Sequence, residues 1–181
     1  MEKGKWAGQR IAIFIDVQNL YHSAKNLFGA KVNFKEVLKL IVERRILVRA
    51  LAYVVKTKSG EELPFFEALK KLGIEIREKD LQVFFGGVKK ADWDVGLAVD
   101  AIRLAPSVDV VCLVSGDGDF LPLVEYLKNQ GKRVEVYAFS RTTSSKLKEA
   151  ADYFFDLESN PKKFLLSPTP SKKTKKNELY G

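Results

Sequence analysis

Apolar and polar positions alternate along this chain with two periods, and the two take turns. "RIAIFID" (10–16) is a short, nearly continuous apolar run ending in a carboxylate, which predicts a strand buried on both faces. "VQNLYHSAKNLF" then shows helical spacing and stops at Gly29. A second amphipathic helix is predicted over 34–45, with Val37, Leu38, Ile41 and Val42 on one side. "ILVRALAYVVK" (46–56) reads as a strand, and 62–73 as a helix closed by Gly73. "IEIREKD" (74–80) alternates apolar with charged residues, as a half-solvated strand near a sheet edge does. "LQVFFGGVKKA" fits either a short strand or a loop around Gly86 and Gly87.

The second half repeats the alternation. A helix is predicted over 92–105, with Val95, Ala98, Val99 and Ile102 as its apolar stripe. "VDVVCLVSG" (108–116) reads as a buried strand. A helix over 119–131 follows, capped by Asp119 and ended by Gly131. "KRVEVYAFS" (132–140) alternates as a strand, 144–151 as a short helix, and 152–157 as a last strand. Strands alternating with helices predict an α/β domain whose parallel sheet is covered on both faces. A ligand site in such a sheet lies beyond the carboxyl ends of the strands.

Two predicted strands end in acids at that edge: Asp16 after the first, Asp117 and Asp119 after 108–116. If these strands are neighbours, three carboxylates converge on one crevice. Singly, Asp16 and Asp119 are ordinary helix caps, and Asp117 fits an Asx turn between two glycines. Together they repel one another, and a hard divalent cation with oxygen ligands, Mg²⁺ or Mn²⁺, resolves the repulsion. Asp94 falls in the first turn of the next predicted helix and faces the same way. Asp92 reads as that helix's cap. Asp100 is about 120° around the helix from Asp94, which suits an outer or structural role rather than the same metal.

Composition narrows the chemistry. The chain has 181 residues, one cysteine, one histidine and a net charge of +8. A single cysteine excludes disulfides and a thiolate zinc site, and suits a reducing cytoplasm. No apolar run reaches the length of a membrane span, and the first residues lack the apolar core of a signal peptide. There is no P-loop, no dinucleotide fingerprint and no nucleophile elbow. Cys112 reads as inert core and His22 as a surface residue, so a Ser/His or Cys/His nucleophile has no partners. The positive charge favours an anionic partner. Lys89, Lys90 and the hydroxyl-rich loop 140–146, with Ser140, Arg141, Ser144 and Lys146, are candidates to contact phosphate. Residues 1–9 read as an extension, 10–160 as the domain, and 161–181 as a basic, disordered tail.

Four blocks carry a resemblance: "IAIFIDVQNLY", "KKADWDVGLAVDAI", "VVCLVSGDGDFLPLVEYLKNQGKRVEVYAF" and "SSKLKEAADYFFDL". In this order and spacing they resemble the NYN domain of the PIN-like nuclease superfamily, in its LabA-like (DUF88) branch. The resemblance implies a Rossmann-like three-layer α/β/α sandwich with a central, mainly parallel sheet. It implies an acidic pocket that binds Mg²⁺ or Mn²⁺ and cleaves RNA, leaving a 5′-phosphate and a 3′-hydroxyl. By position it assigns Asp16, Asp94, Asp117 and Asp119 to the metal, with Asn19 as the accompanying amide. It also expects a basic residue before the middle acid, where Lys90 stands. The leading expectation is therefore a metal-dependent ribonuclease. The alternatives are a non-catalytic RNA- or protein-binding module of the same fold, self-associating or not, and a hydrolase of small phosphoesters.

Overall fold

The computed structural model describes residues 7–87 and 89–166, with the backbone alone at Lys89 and Lys90. Chain order begins β1 (Arg10–Asp16), α1 (Val17–Phe28), β2 (Lys31–Val32), α2 (Phe34–Val42), β3 (Ile46–Lys56), α3 (Leu63–Lys71) and β4 (Glu75–Asp80). It continues with the hairpin β5 (Gln82–Val83) and β6 (Lys89–Lys90), then α4 (Asp94–Leu104), β7 (Val110–Val114) and α5 (Leu121–Asn129). It closes with β8 (Arg133–Ala138), α6 (Ser145–Ala150), β9 (Tyr153–Asp156), α7 (Pro161–Phe164) and β10 (Leu165–Leu166).

The main sheet has six strands in the order β4-β3-β1-β7-β8-β9. Every pairing in it is parallel. The near-continuous apolar run of β1 is explained by burial on both faces. Ile11, Ile13 and Ile15 pack with α1, α2, α3 and Phe164 of α7. Ala12 and Phe14 pack on the other side with α4, α5 and α6. The result is a three-layer α/β/α sandwich. β4 lies at one edge, as its charged alternation predicts. Connections run outward from β1 to β3 and β4 on one side, and through β7 to β8 and β9 on the other. The direction of winding therefore reverses between β1 and β7, the place where open α/β sheets hold ligands.

The structure corrects several expectations. "LQVFFGGVKKA" is a small antiparallel hairpin, with Gln82 and Val83 opposite Lys90 and Lys89. In α4 the buried stripe is Leu97 and Ala101, not the one predicted. Val95, Val99 and Ile102 are 75%, 40% and 40% exposed, while Leu97 and Ala101 are fully covered. The most apolar side chains of this helix thus lie on its outer side. The folded body also continues past residue 160. Asn160 caps α7, Phe164 is buried, and β10 pairs antiparallel with β2. Residues 167–181, most of the expected tail, lie outside the described residues, as do residues 1–6 of the extension.

Candidate metal centre

β1 and β7 pair in register from Ile11↔Val110 to Ile15↔Val114, so their carboxyl ends lie side by side. Asp16 is the last residue of β1 and the N-cap of α1. One carboxylate oxygen accepts the Asn19 backbone N–H at 3.2 Å. The other accepts the Ser115 hydroxyl at 3.0 Å. The Ser115 hydroxyl oxygen in turn accepts the Asp117 N–H at 3.2 Å. The side-chain oxygen of Asn19 accepts the Gly116 N–H at 2.9 Å. Two of these bonds, Ser115 to Asp16 and Gly116 to Asn19, tie the β1 end to the β7 end, and the set fixes the Asp16 carboxylate before any ligand arrives.

Trp93 sets the third acid. Its indole N–H donates to the Val54 carbonyl of β3 at 2.8 Å, and its ring stands edge-on to Tyr53. A Cβ at Gly96 would lie 2.5 Å from that ring, so only glycine lets the indole fold under the first turn of α4. The helix start is thereby pinned to the sheet edge, and Asp94 is its first residue. One carboxylate oxygen each from Asp16, Asp94 and Asp117 then lie within 4.8 Å of one another.

The electrostatics agree with the geometry. Burial pushes the Asp16 carboxyl up to about 6. The Asn19 N–H and the Ser115 hydroxyl oppose this, and the charges of Asp94 and Asp117 add to it. Asp94 is also raised, by burial first and then by Asp117, Asp92 and Asp119; Lys79 opposes. Three partly buried carboxylates offering hard oxygen donors at this spacing fit a divalent cation such as Mg²⁺ or Mn²⁺.

The remaining sequence-predicted residues divide. Asp119 is exposed and stands outside the trio; its N–H donates to the Asp117 carboxylate at 2.9 Å. The expected cap on Asp119 belongs instead to Asp117, which caps the 3-10 turn Gly118–Phe120 leading into α5. Asp92 does not cap α4: the cap position is Trp93 and has no side-chain bond. The Asp92 carbonyl accepts the Lys79 ammonium at 2.8 Å. Asp100 is held away by the Tyr53 hydroxyl at 2.8 Å and Arg77 at 3.4 Å, a structural pairing.

The 140–146 loop does reach the acidic turn. A Cβ at Gly116 would meet Thr143 Oγ1 at 2.6 Å and the Thr142 carbonyl at 3.1 Å. One at Gly118 would meet Ser144 at 3.0 Å. Neither glycine has positive φ, so their role is close approach of the two loops rather than a sharp turn. The Ser144 N–H donates to the Gly116 carbonyl at 3.0 Å, and its hydroxyl caps α6. Arg141 is committed elsewhere: it pairs with Glu158 at 2.6 Å and lies over the Phe28 ring. Ser140 accepts the Lys148 ammonium, and Lys146 is exposed. β6 carries Lys89 and Lys90 in the hairpin that leads into α4.

Three participants escape sequence reasoning. Ser115 sits inside the conspicuous "SGDGDF" run but is overshadowed by its acids. Lys79 and Trp93 come together only through tertiary packing, with the ammonium 4.9 Å from the ring centroid. Cys112 is buried and His22 exposed, as expected. Among the described residues no helix is long and apolar enough to cross a membrane.

A Rossmann-like sandwich with a carboxylate trio at its switch point describes a class of nuclease-like α/β proteins, and comparison with known sequences makes the family definite. The family model of the NYN domain matches residues 10–158, and the chain belongs to that family, part of the PIN-like nuclease superfamily. It is 28% identical over 156 residues to the low amplitude and bright protein LabA of Synechococcus elongatus, covering 82% of this chain and 83% of LabA. It is 28% identical over 172 residues to the uncharacterized protein MJ0482 of Methanocaldococcus jannaschii, covering 94% of this chain but 63% of that longer protein. The crystal structure of VPA0982, a protein of unknown function from Vibrio parahaemolyticus, superposes with a TM-score of 0.81 at 35% identity. The match covers 92% of this chain and all of that one.

Proposed function

We propose that this protein is a metal-dependent ribonuclease, and the observation that supports it best is the Asp16–Asp94–Asp117 trio at the β1/β7 switch point. These three residues would hold Mg²⁺ or Mn²⁺. Such an ion, when bound, activates water and neutralises charge developing on a phosphate. The chain's own residues do the positioning. The Ser115 hydroxyl and the Asn19 N–H fix the rotation of the Asp16 carboxylate. Asn19 also anchors Gly116, so the turn that carries Asp117 keeps its distance from β1. The Asp119 N–H occupies one Asp117 oxygen. The Asp119 carboxylate, exposed beside the trio, would face the bound ion. Ser144, which packs against the acidic turn, together with Lys146, Lys89 and Lys90, would hold the phosphates on either side of the scissile bond. The choice of RNA follows the family, and the net charge of +8 suits a polyanion. The single cysteine suits a reducing compartment, and the proposed location is the cytoplasm.

The test is cleavage of a labelled single-stranded RNA by the purified chain in Mg²⁺ or Mn²⁺, beside Asp117→Asn and beside EDTA. The expected outcome is cleavage by the wild type alone, with 5′-phosphate products. Equal cleavage by Asp117→Asn, or cleavage that survives EDTA, overturns the proposal.

A further inference from the structure

A second concavity lies away from the acidic crevice, toward the amino ends of β3, β8 and β9. It encloses about 590 Å³, within the range of roughly 300–1,000 Å³ typical of small-molecule sites. One wall is aromatic. Tyr153 and Phe155 project from the edge strand β9, half-buried, and both rings pack against Tyr137 of β8. The rim is cationic: Lys39, Arg44 and Lys163 are exposed and form no ion pair among the described residues.

The floor is a closed polar network. Glu135 is 1% exposed and accepts Arg45 Nη1 at 2.9 Å, Arg133 Nε at 2.9 Å and the Tyr137 hydroxyl at 2.6 Å. Arg45 gives Nε and Nη2 to the Ile41 carbonyl, and Nη2 also donates to the Tyr137 hydroxyl at 3.2 Å. The network joins two guanidiniums to one carboxylate, so it is rigid and keeps a net positive charge. The floor is therefore weakly cationic, and the three rim cations outnumber the exposed Glu43 carboxylate at the lip, so the pocket favours an anion. At the lip stands Glu43, with φ of 42°, the only non-glycine residue among those described with positive φ. Such strain concentrates where a binding surface must be shaped. Nothing in the proposed nuclease mechanism uses any of these residues.

We infer that this pocket is a second binding site, for a nucleoside phosphate. Inorganic phosphate would leave the aromatic wall uncovered, and a wholly apolar ligand would desolvate the rim cations without pairing them. A base stacked on Tyr153 and Phe155, with its phosphate at Lys39, Arg44 and Lys163, satisfies both walls. The ligand is either a free nucleotide or one nucleotide of a strand.

The full chain is titrated calorimetrically with AMP and separately with a short oligoadenylate, both in EDTA so that no metal bridges phosphate to the acidic trio. Saturable binding is expected. It should weaken at least about tenfold in Tyr153→Leu, which keeps an apolar side chain but not the stacking face, and in the rim double variant Arg44→Glu/Lys163→Glu. Asp117→Asn should bind unchanged. The ratio of the two affinities tells a free nucleotide from a strand. Binding of neither ligand, binding indifferent to both pocket variants, or binding lost in Asp117→Asn overturns the inference. The rim variant changes only exposed side chains, so a folding defect in Tyr153→Leu leaves the test intact. Because cleavage is not read, failure here leaves the nuclease proposal standing.

Discussion

Replacing Asp16 by asparagine should make the metal-free protein more stable at neutral pH, although it removes a residue assigned to the active site. The carboxyl of Asp16 moves from its ordinary 3.8 to about 6 in the folded chain. The folded state therefore holds this proton more tightly than the unfolded state. Between pH 4 and 6 it binds more protons, so stability falls as pH rises through that window and stays low above it. At about 1.4 kcal/mol per pH unit of displacement, the folded anion is disfavoured by about 3 kcal/mol. Asparagine matches the neutral form. It remains a good N-cap, so the Asn19 N–H keeps an acceptor, and the Ser115 hydroxyl can accept its amide. The assay is thermal unfolding in EDTA at pH 7.5 and pH 4. At pH 7.5 the variant should melt about 6–12 °C higher. Near pH 4 the difference should shrink to about 1 kcal/mol or less. Saturating Mn²⁺ should raise the wild type and leave the variant where it was. A variant that melts lower than wild type at pH 7.5, or by the same margin at both pH values, refutes the reasoning.

Four further substitutions probe the packing. Leu97→Ala should cost about 2–5 kcal/mol in urea unfolding, while Val99→Ala stays within about 0.5 kcal/mol; the reverse order would mean that α4 buries the other face. Gly116→Ala should cost about 1–3 kcal/mol, because its Cβ meets Thr143 and Thr142 backbone atoms that cannot swing aside; a neutral effect would mean the two loops do not hold each other. Arg45→Met should cost about 3 kcal/mol by chemical denaturation, since it leaves the buried Glu135 short of a partner; a loss under about 1 kcal/mol would show the Glu135 charge to be compensated without it.

The sheet and the trio were legible because both follow from local pattern. Apolar runs such as "IAIFI" and "VVCLV" specify strands buried on both faces, and the acids that end them necessarily stand at the carboxyl edge. Asp94 was legible for the same kind of reason, as an acid opening a helix. What stayed hidden depends on contacts distant in sequence. Periodicity in α4 offers two stripes, and the one with the larger apolar side chains is the outer one. Leu97 and Ala101 are the pair that packs with Phe14 and Tyr53 in the core beneath the helix. The alternation of "RVEVYA" gives no sign that Glu135 is buried. That follows from Arg45, ninety positions earlier, folding over it. Likewise, nothing local assigns the cap to Asp117 rather than Asp119, or sets Lys79 over Trp93.

The central claim is that Asp16, Asp94 and Asp117 form one metal centre. Crystals of the wild-type protein soaked in Mn²⁺ test it most directly, through anomalous density. The account predicts a peak between these three carboxylates, absent in Asp117→Asn. Density elsewhere, or none at millimolar Mn²⁺ with the trio intact, would contradict it.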